Sequence, residues 1–180
     1  IPGHCYPNYA AVERFLSGRS LGRRTKNAEG RLDRYRMIWE NVAYEAGTLR
    51  AVAYDAQGRA CEERIVRTAG EPDHLTLEPD RTRIEADGRD LSFVEISVVD
   101  AQGTLCPDAA LQLAVSVRGG ELVALCNGDP TSLESFAGQT MKTFSGKCMA
   151  VISGTPDSRT IRVRVSTPEG VCGETRIETF

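Results

Sequence analysis

Between Glu85 and Asp108 the sequence EADGRDLSFVEISVVDAQGTLCPD sets Val94, Ile96 and Val98 two residues apart, with Glu95 and Ser97 between them. That period of two is what a strand with one face in a core and the other in water requires. Asp87-Gly88 ahead of the run and Asp100 to Gly103 behind it supply turn chemistry. Leu91 and Phe93 have the opposite parity, so either a bulge near Ser92 or cover on both faces is expected there. The segment reads as the central strand of a β-sandwich, around which the rest of the chain must be arranged.

The second half repeats the pattern. Strands are expected near Leu75 to Glu78, Thr82 to Glu85, Leu91 to Val99, Leu111 to Val117, Glu121 to Leu125, Met141 to Phe144, Cys148 to Ile152, Thr160 to Ser166 and Thr175 to Thr179. Leu111, Leu113, Val115 and Val117 alternate cleanly, as do Ile161, Val163 and Val165. Turn pairs such as Gly119-Gly120, Pro156-Asp157 and Glu169-Gly170 punctuate them at short intervals. Many short strands so spaced indicate an immunoglobulin-like sandwich over 71–180. The antibody-type Cys-Trp-Cys core is absent, since Trp39, the only tryptophan, lies in the first part.

Residues 1–70 read as a smaller sandwich of five or six strands. A strand at His4 to Tyr6 precedes a hairpin whose arms, Val12 to Leu16 and Arg19 to Arg24, flank the two residues Ser17-Gly18, a spacing that suits a primed turn. Arg14 is awkward in that hairpin if its neighbours are core. Tyr35, Met37 and Trp39 are expected to share one strand face, with Arg34, Arg36 and Ile38 on the other. Glu40-Asn41 then reads as a turn, and Leu49 to Tyr54 pairs with Ala60 to Arg67. Thr68 to Pro72 reads as a hinge too short for independently tumbling domains. The fold class is therefore all-β, two consecutive β-sandwiches.

Composition excludes several roles. No segment approaches the run of about 18 apolar residues that spans a membrane as a helix, and IPGHCYPNYAAVERF lacks the basic and apolar regions of a signal peptide. Residues 1–70 are net +4 and residues 71–180 net −7. The arginines from Arg19 to Arg36 flank a loop with Glu29 and Asp33 and lack stacking aromatics, which argues against nucleic-acid binding. The six cysteines form no Cys-x-x-Cys or Cys/His cluster, so no zinc site is expected; two domains of this size need no disulfides, and a cytoplasmic location is favoured over a secreted one. Calcium at Asp100, Asp108 and Asp129 lacks any close Asp-x-Asp spacing. No metal and no cofactor is expected.

Three segments carry a resemblance. Val12 to Gly22 reads VERFLSGRSLG; Met37 to Tyr54 reads MIWENVAYEAGTLRAVAY and leads to Arg67-Thr68-Ala69-Gly70; the Glu85 to Asp108 stretch is followed by Asn127-Gly128-Asp129-Pro130-Thr131-Ser132 and Glu134-Ser135-Phe136. In this order they resemble the non-catalytic C-terminal region of bacterial family 2 glycoside hydrolases, the β-galactosidase-like branch. Arg14 stands where the family usually has an apolar residue, Ser17 where it has Asn, and Leu133 where it has His. The family pattern begins several residues before His4, which leaves open that the first domain lacks its opening strand here.

The resemblance implies a fragment. In such enzymes a sugar-binding jelly roll, a sandwich and a (β/α)₈ barrel come first, and the barrel holds two catalytic glutamates, which retaining chemistry needs about 5 Å apart. Neither glutamate motif appears in this sequence, so no catalytic residue is expected and the chain alone should not cleave glycosides. The expected role is to stabilise or assemble the parent enzyme against its barrel or another subunit. The alternative is a carbohydrate-binding module in which Tyr35 and Trp39 form a stacking platform. Asn127, Asp129 and Glu134 read either as a polar loop reaching toward a neighbouring domain or as a plain turn.

Overall fold

The computed structural model describes residues 2–156 and 158–180. The turn expected at Pro156-Asp157 includes Asp157, which lies outside them. Every regular element in the described range is a strand, so the chain is all-β. It divides into two compact units, Ile1–Thr68 and Ala69–Phe180.

The first unit has a short sheet and a longer one. β1 (Gly3–Cys5) pairs with β4 (Met37–Trp39), while β3 (Arg19–Thr25), β2 (Ala11–Leu16), β5 (Thr48–Tyr54) and β6 (Ala60–Arg67) follow one another in that order across a four-stranded sheet. Ser17 and Gly18, both at positive φ (47° and 85°), join β2 to β3. Only such turns match the twist of the strands they connect, which is why a glycine stands second. A bulge follows, since β2 and β3 change register between Glu13 and Phe15. Val12, Met37 and Trp39 form the buried centre, with Cys5, Leu21, Val42, Ala51 and Ala53 packed on it. Arg14 shares the parity of Val12 and Leu16, so the strand carries its side chain into this core, where it is only 8% exposed.

One strand is shorter than its sequence suggests. β4 begins at Met37, and the residues before it are held in a turn where the Tyr35 N–H donates to the Leu32 carbonyl at 3.0 Å. Tyr35 therefore does not share a strand face with Met37 and Trp39. Glu40 and Asn41 turn the chain after β4, Asn41 at a φ of 56°.

The second unit is a full sandwich. One sheet runs β11 (Gly120–Cys126), β13 (Lys147–Gly154), β9 (Leu91–Val99), β7 (His74–Pro79); the other runs β12 (Thr140–Lys142), β10 (Gln112–Arg118), β14 (Thr160–Ser166), β15 (Cys172–Thr179), β8 (Arg83–Ile84). All pairings in this unit are antiparallel except β15 with β8. β9 lies inside its sheet, in unbroken register with β13 and β7. There is no bulge near Ser92, contrary to one of the two expectations, and Phe93 is exposed, contrary to the other. Ser92 instead sits in the buried row with Val94, Ile96 and Val98, its hydroxyl donating to the Arg81 carbonyl at 2.7 Å. That bond is what makes a polar residue tolerable there. Across the core Leu113, Val115, Ile161, Val163 and Val165 supply the facing layer. At about 1.5–3 kcal/mol for each fully buried side chain of this kind, this layer pair dominates the unit's stability.

The entry to the second unit is fixed by one carboxylate. Asp100 accepts from the Gly70 N–H at 2.8 Å, the Thr104 N–H at 2.8 Å and the Gln102 N–H at 2.9 Å. These bonds, the Gly70 one first, hold its carboxyl below the ordinary Asp range.

Candidate functional site

The loop from Asn127 to Gln139 joins β11 to β12, the edge strands of the two sheets of the second unit. It contains the three polar residues singled out in the sequence, and they brace it from inside. Asn127 donates through Nδ2 to the Lys142 carbonyl at 2.8 Å and accepts through Oδ1 from the Asp129 N–H at 2.9 Å. Asp129 in turn accepts from the N–H and the hydroxyl of Thr131, at 2.8 and 2.7 Å. Those two bonds, the N–H first, lower the Asp129 pKa from its usual value.

Glu134 ties the far side. Its two carboxylate oxygens accept from the Lys142 N–H at 3.3 and 3.2 Å, and Gln112 Nε2 donates to it at 3.4 Å. The backbone is fastened at both sheets, because the Leu125 N–H donates to the Phe136 carbonyl at 2.8 Å and the Val115 N–H to the Gln139 carbonyl at 2.9 Å. A carboxylate engaged in this way shapes a loop; general acid or base work needs one free to meet a substrate proton.

What the braced loop presents to solvent is apolar. Leu133 is 100% exposed and Phe136 58% exposed. The sequence signal for this was the departure at Leu133, where a polar residue is usual, but a position in a Ser-Thr-Pro-rich loop gives no hint that a hydrophobe points outward. Exposed large hydrophobes on an ordered support are the feature that most often marks a contact surface.

The aromatic platform is not assembled. Trp39 is 2% exposed, and its indole N–H donates to the Gly22 carbonyl, at the bulged part of β3, at 2.9 Å. Tyr35 is exposed, with the Arg34 guanidinium 4.7 Å from its ring centroid. Stacking a sugar across both rings would require Trp39 to leave the core. Asp100 and Asp129 are engaged with backbone N–H groups as described, and among the described residues no group of three or more His, Cys, Asp or Glu could hold a metal ion. No helix of the described residues is long and apolar enough to cross a membrane.

Two family profiles match the chain. Glycoside hydrolase family 2 C-terminal domain 5 matches residues 75–174, and a domain of unknown function, DUF4982, matches residues 1–62. The β-galactosidase BoGH2A of Bacteroides ovatus is 40% identical over 150 residues, 82% of this chain and 17% of that protein. A solved structure of a glycosyl hydrolase family 2 member from Bacteroides cellulosilyticus superposes with a TM-score of 0.92 at 30% identity, over 99% of this chain and 23% of the other. A β-glycosidase structure from Bacteroides vulgatus does so with a TM-score of 0.87 at 26% identity, over 99% of this chain and 22% of the other. The chain thus spans about a fifth of the length of these relatives.

Proposed function

This chain belongs to the family 2 glycoside hydrolases, as their non-catalytic C-terminal β-sandwich region, and from that premise we propose that it stabilises and assembles a β-galactosidase-like parent enzyme. The parent hydrolyses terminal glycosidic bonds, and its two carboxyl groups lie outside this chain. The observation that carries the reading is the braced loop that holds Leu133 and Phe136 out in solvent. Ordering a loop costs conformational entropy, and here internal hydrogen bonds meet that cost before any partner arrives. A surface prepared in this way fits a permanent neighbour within the parent chain or an adjoining subunit better than a soluble sugar, which would call for free polar groups beside an aromatic face.

The test is to remove the region from the parent, and separately to replace Leu133 and Phe136 with Asp in it. The expected result is a lower melting temperature or an altered oligomeric state, with turnover per folded enzyme unchanged. Deletion that leaves stability, oligomeric state and turnover all as they were would overturn the proposal. The chain alone is expected to leave nitrophenyl galactosides intact; hydrolysis by the pure protein would contradict the non-catalytic assignment.

A further inference from the structure

The first unit has a sheet whose inner face runs out from under its cover. On β5 the inward residues are Ala51 and Ala53, packed on Trp39 and Val12. Their ladder partners on β6 are Arg64 and Glu62, and the partner of Leu49 is Val66, so these three form the next row of the same inner face. Yet every residue of β6 is exposed, Val66 at 66%. Edge strands of the second unit behave otherwise: Leu75 on β7 and Met141 on β12 are buried. The cause is the opposite sheet, which consists of β1 and β4 alone and leaves one edge of β1 without a strand partner among the described residues. A cleft of about 250 Å³ remains there, with Cys5, Tyr6 and Tyr9 on one wall, Ala51 and Ala53 as floor and Arg64 at the rim.

A second observation points to the same place. Arg14 Nη1 is buried and has no hydrogen-bond partner among the described residues. The guanidinium lies 5.2 Å from the Trp39 ring centroid and passes directly beneath Gly3 of β1, in the space a Cβ would occupy. Trp39 offers it a ring face but no acceptor. Burial lowers the Arg14 pKa, so the charge is held there against its own solvation. A buried cation without an acceptor is costly, and native folds supply one.

We propose that the free edge of β1 and the bare inner face of β6 seat one further β-strand of the parent polypeptide, from outside these 180 residues, and that this strand brings a carboxylate or carbonyl oxygen to the Arg14 guanidinium. It rests on the reading that the chain works within a longer parent. Strand addition satisfies the open N–H and C=O groups of β1, and inward side chains of the added strand cover Ala51, Ala53 and Val66. The occupant is assigned to the same polypeptide because the relatives extend far beyond the matched span: this chain covers 17% of the Bacteroides ovatus β-galactosidase and 23% of the Bacteroides cellulosilyticus structure. A covalently linked strand is held at high effective concentration, which suits so short an edge.

The test compares the 180-residue chain with the parent enzyme. In hydrogen exchange the amides of β1 and the end of β6 around Val66 are expected to exchange at least tenfold more slowly in the parent. Replacing Arg14 with Leu should raise or leave unchanged the melting temperature of the isolated chain, where it removes an unpaired buried cation, and lower that of the parent, where it removes a paired one. Equal exchange in both proteins would overturn the proposal, as would a stabilising Arg14→Leu in the parent. Protection of β1 that appears in the isolated chain only as its concentration rises, and is absent from the parent, would assign the edge to a second copy and overturn it too. These readouts concern one strand, so they stand apart from the deletion experiment, which can fail while the strand is present.

Discussion

Eighteen hydrophobic residues make up the buried cluster of the second unit, and three make up that of the first, although the first unit is about three-fifths as long. Length therefore does not account for the difference. In the second unit nine strands share two sheets of five and four, so each inward row faces another. In the first a two-stranded sheet faces a four-stranded one, and Val66, Arg64 and Glu62 face nothing. What the comparison teaches is that closure of the opposing sheet, more than the number of apolar residues in a strand, decides whether a sandwich holds itself together.

The largest expected effect lies in the closed core. Leu113→Ala should cost the second unit about 2–5 kcal/mol, whereas Leu16→Ala in the first should fall near or below the lower end of that range, because its surroundings are already open. Urea unfolding separates the two: Trp39 fluorescence reports the first unit and far-ultraviolet circular dichroism chiefly the second. Equal costs would break the comparison.

Acid should act next, and on the second unit more. Asp87, Asp90, Asp100 and Asp129 there all have lowered pKa values, against Asp55 in the first. A carboxyl whose folded pKa is depressed contributes stability that is present above its unfolded pKa, about 4, and is lost as pH falls through the folded value. The dichroism midpoint should therefore fall more steeply than the fluorescence midpoint below about pH 4. Asp100→Asn should lower the midpoint at neutral pH and flatten that acid dependence; an unchanged profile would remove Asp100 from the account.

Smaller effects sharpen the picture. Trp39 should emit with a blue-shifted maximum that galactosides and plant or mucin oligosaccharides leave unchanged; a saturable shift with sugar would restore the platform reading. Each unit also has one exposed thiol, Cys61 and Cys172, which should react with maleimide at pH 7.5 without unfolding. Cys148, buried and pushed up to about 12 by desolvation, and Cys106, likewise raised, should react only when the second unit opens. Fast labelling of Cys148 would mean that the second core is looser than its burial implies.

The strands that bury one face were legible because alternation is a local property. Leu111 to Val117 and Ile161 to Val165 announce themselves, and Ser17-Gly18 announces its hairpin. The bracing of the loop was not, since Asn127 and Glu134 reach Lys142 and Gln112, residues brought near only by the sandwich. Ser92 misled for a related reason: its inward place depends on the Arg81 carbonyl, which no pattern within the strand reveals. Tyr35 was drawn into β4 by its parity, whereas the turn bond to Leu32 decides otherwise. Arg14 was recognisable as odd, but that its Nη1 would lie buried and unpaired is a statement about what surrounds it.

The central claim is that the second unit closes on itself while the first does not, and native-state hydrogen exchange of the isolated chain tests it most directly. The account predicts that amides of β9, β13 and β14 exchange only through global unfolding of their unit, and that the amides of β6 paired to β5 exchange orders of magnitude faster. Protection of Cys61 to Arg67 equal to that of β13 would contradict it.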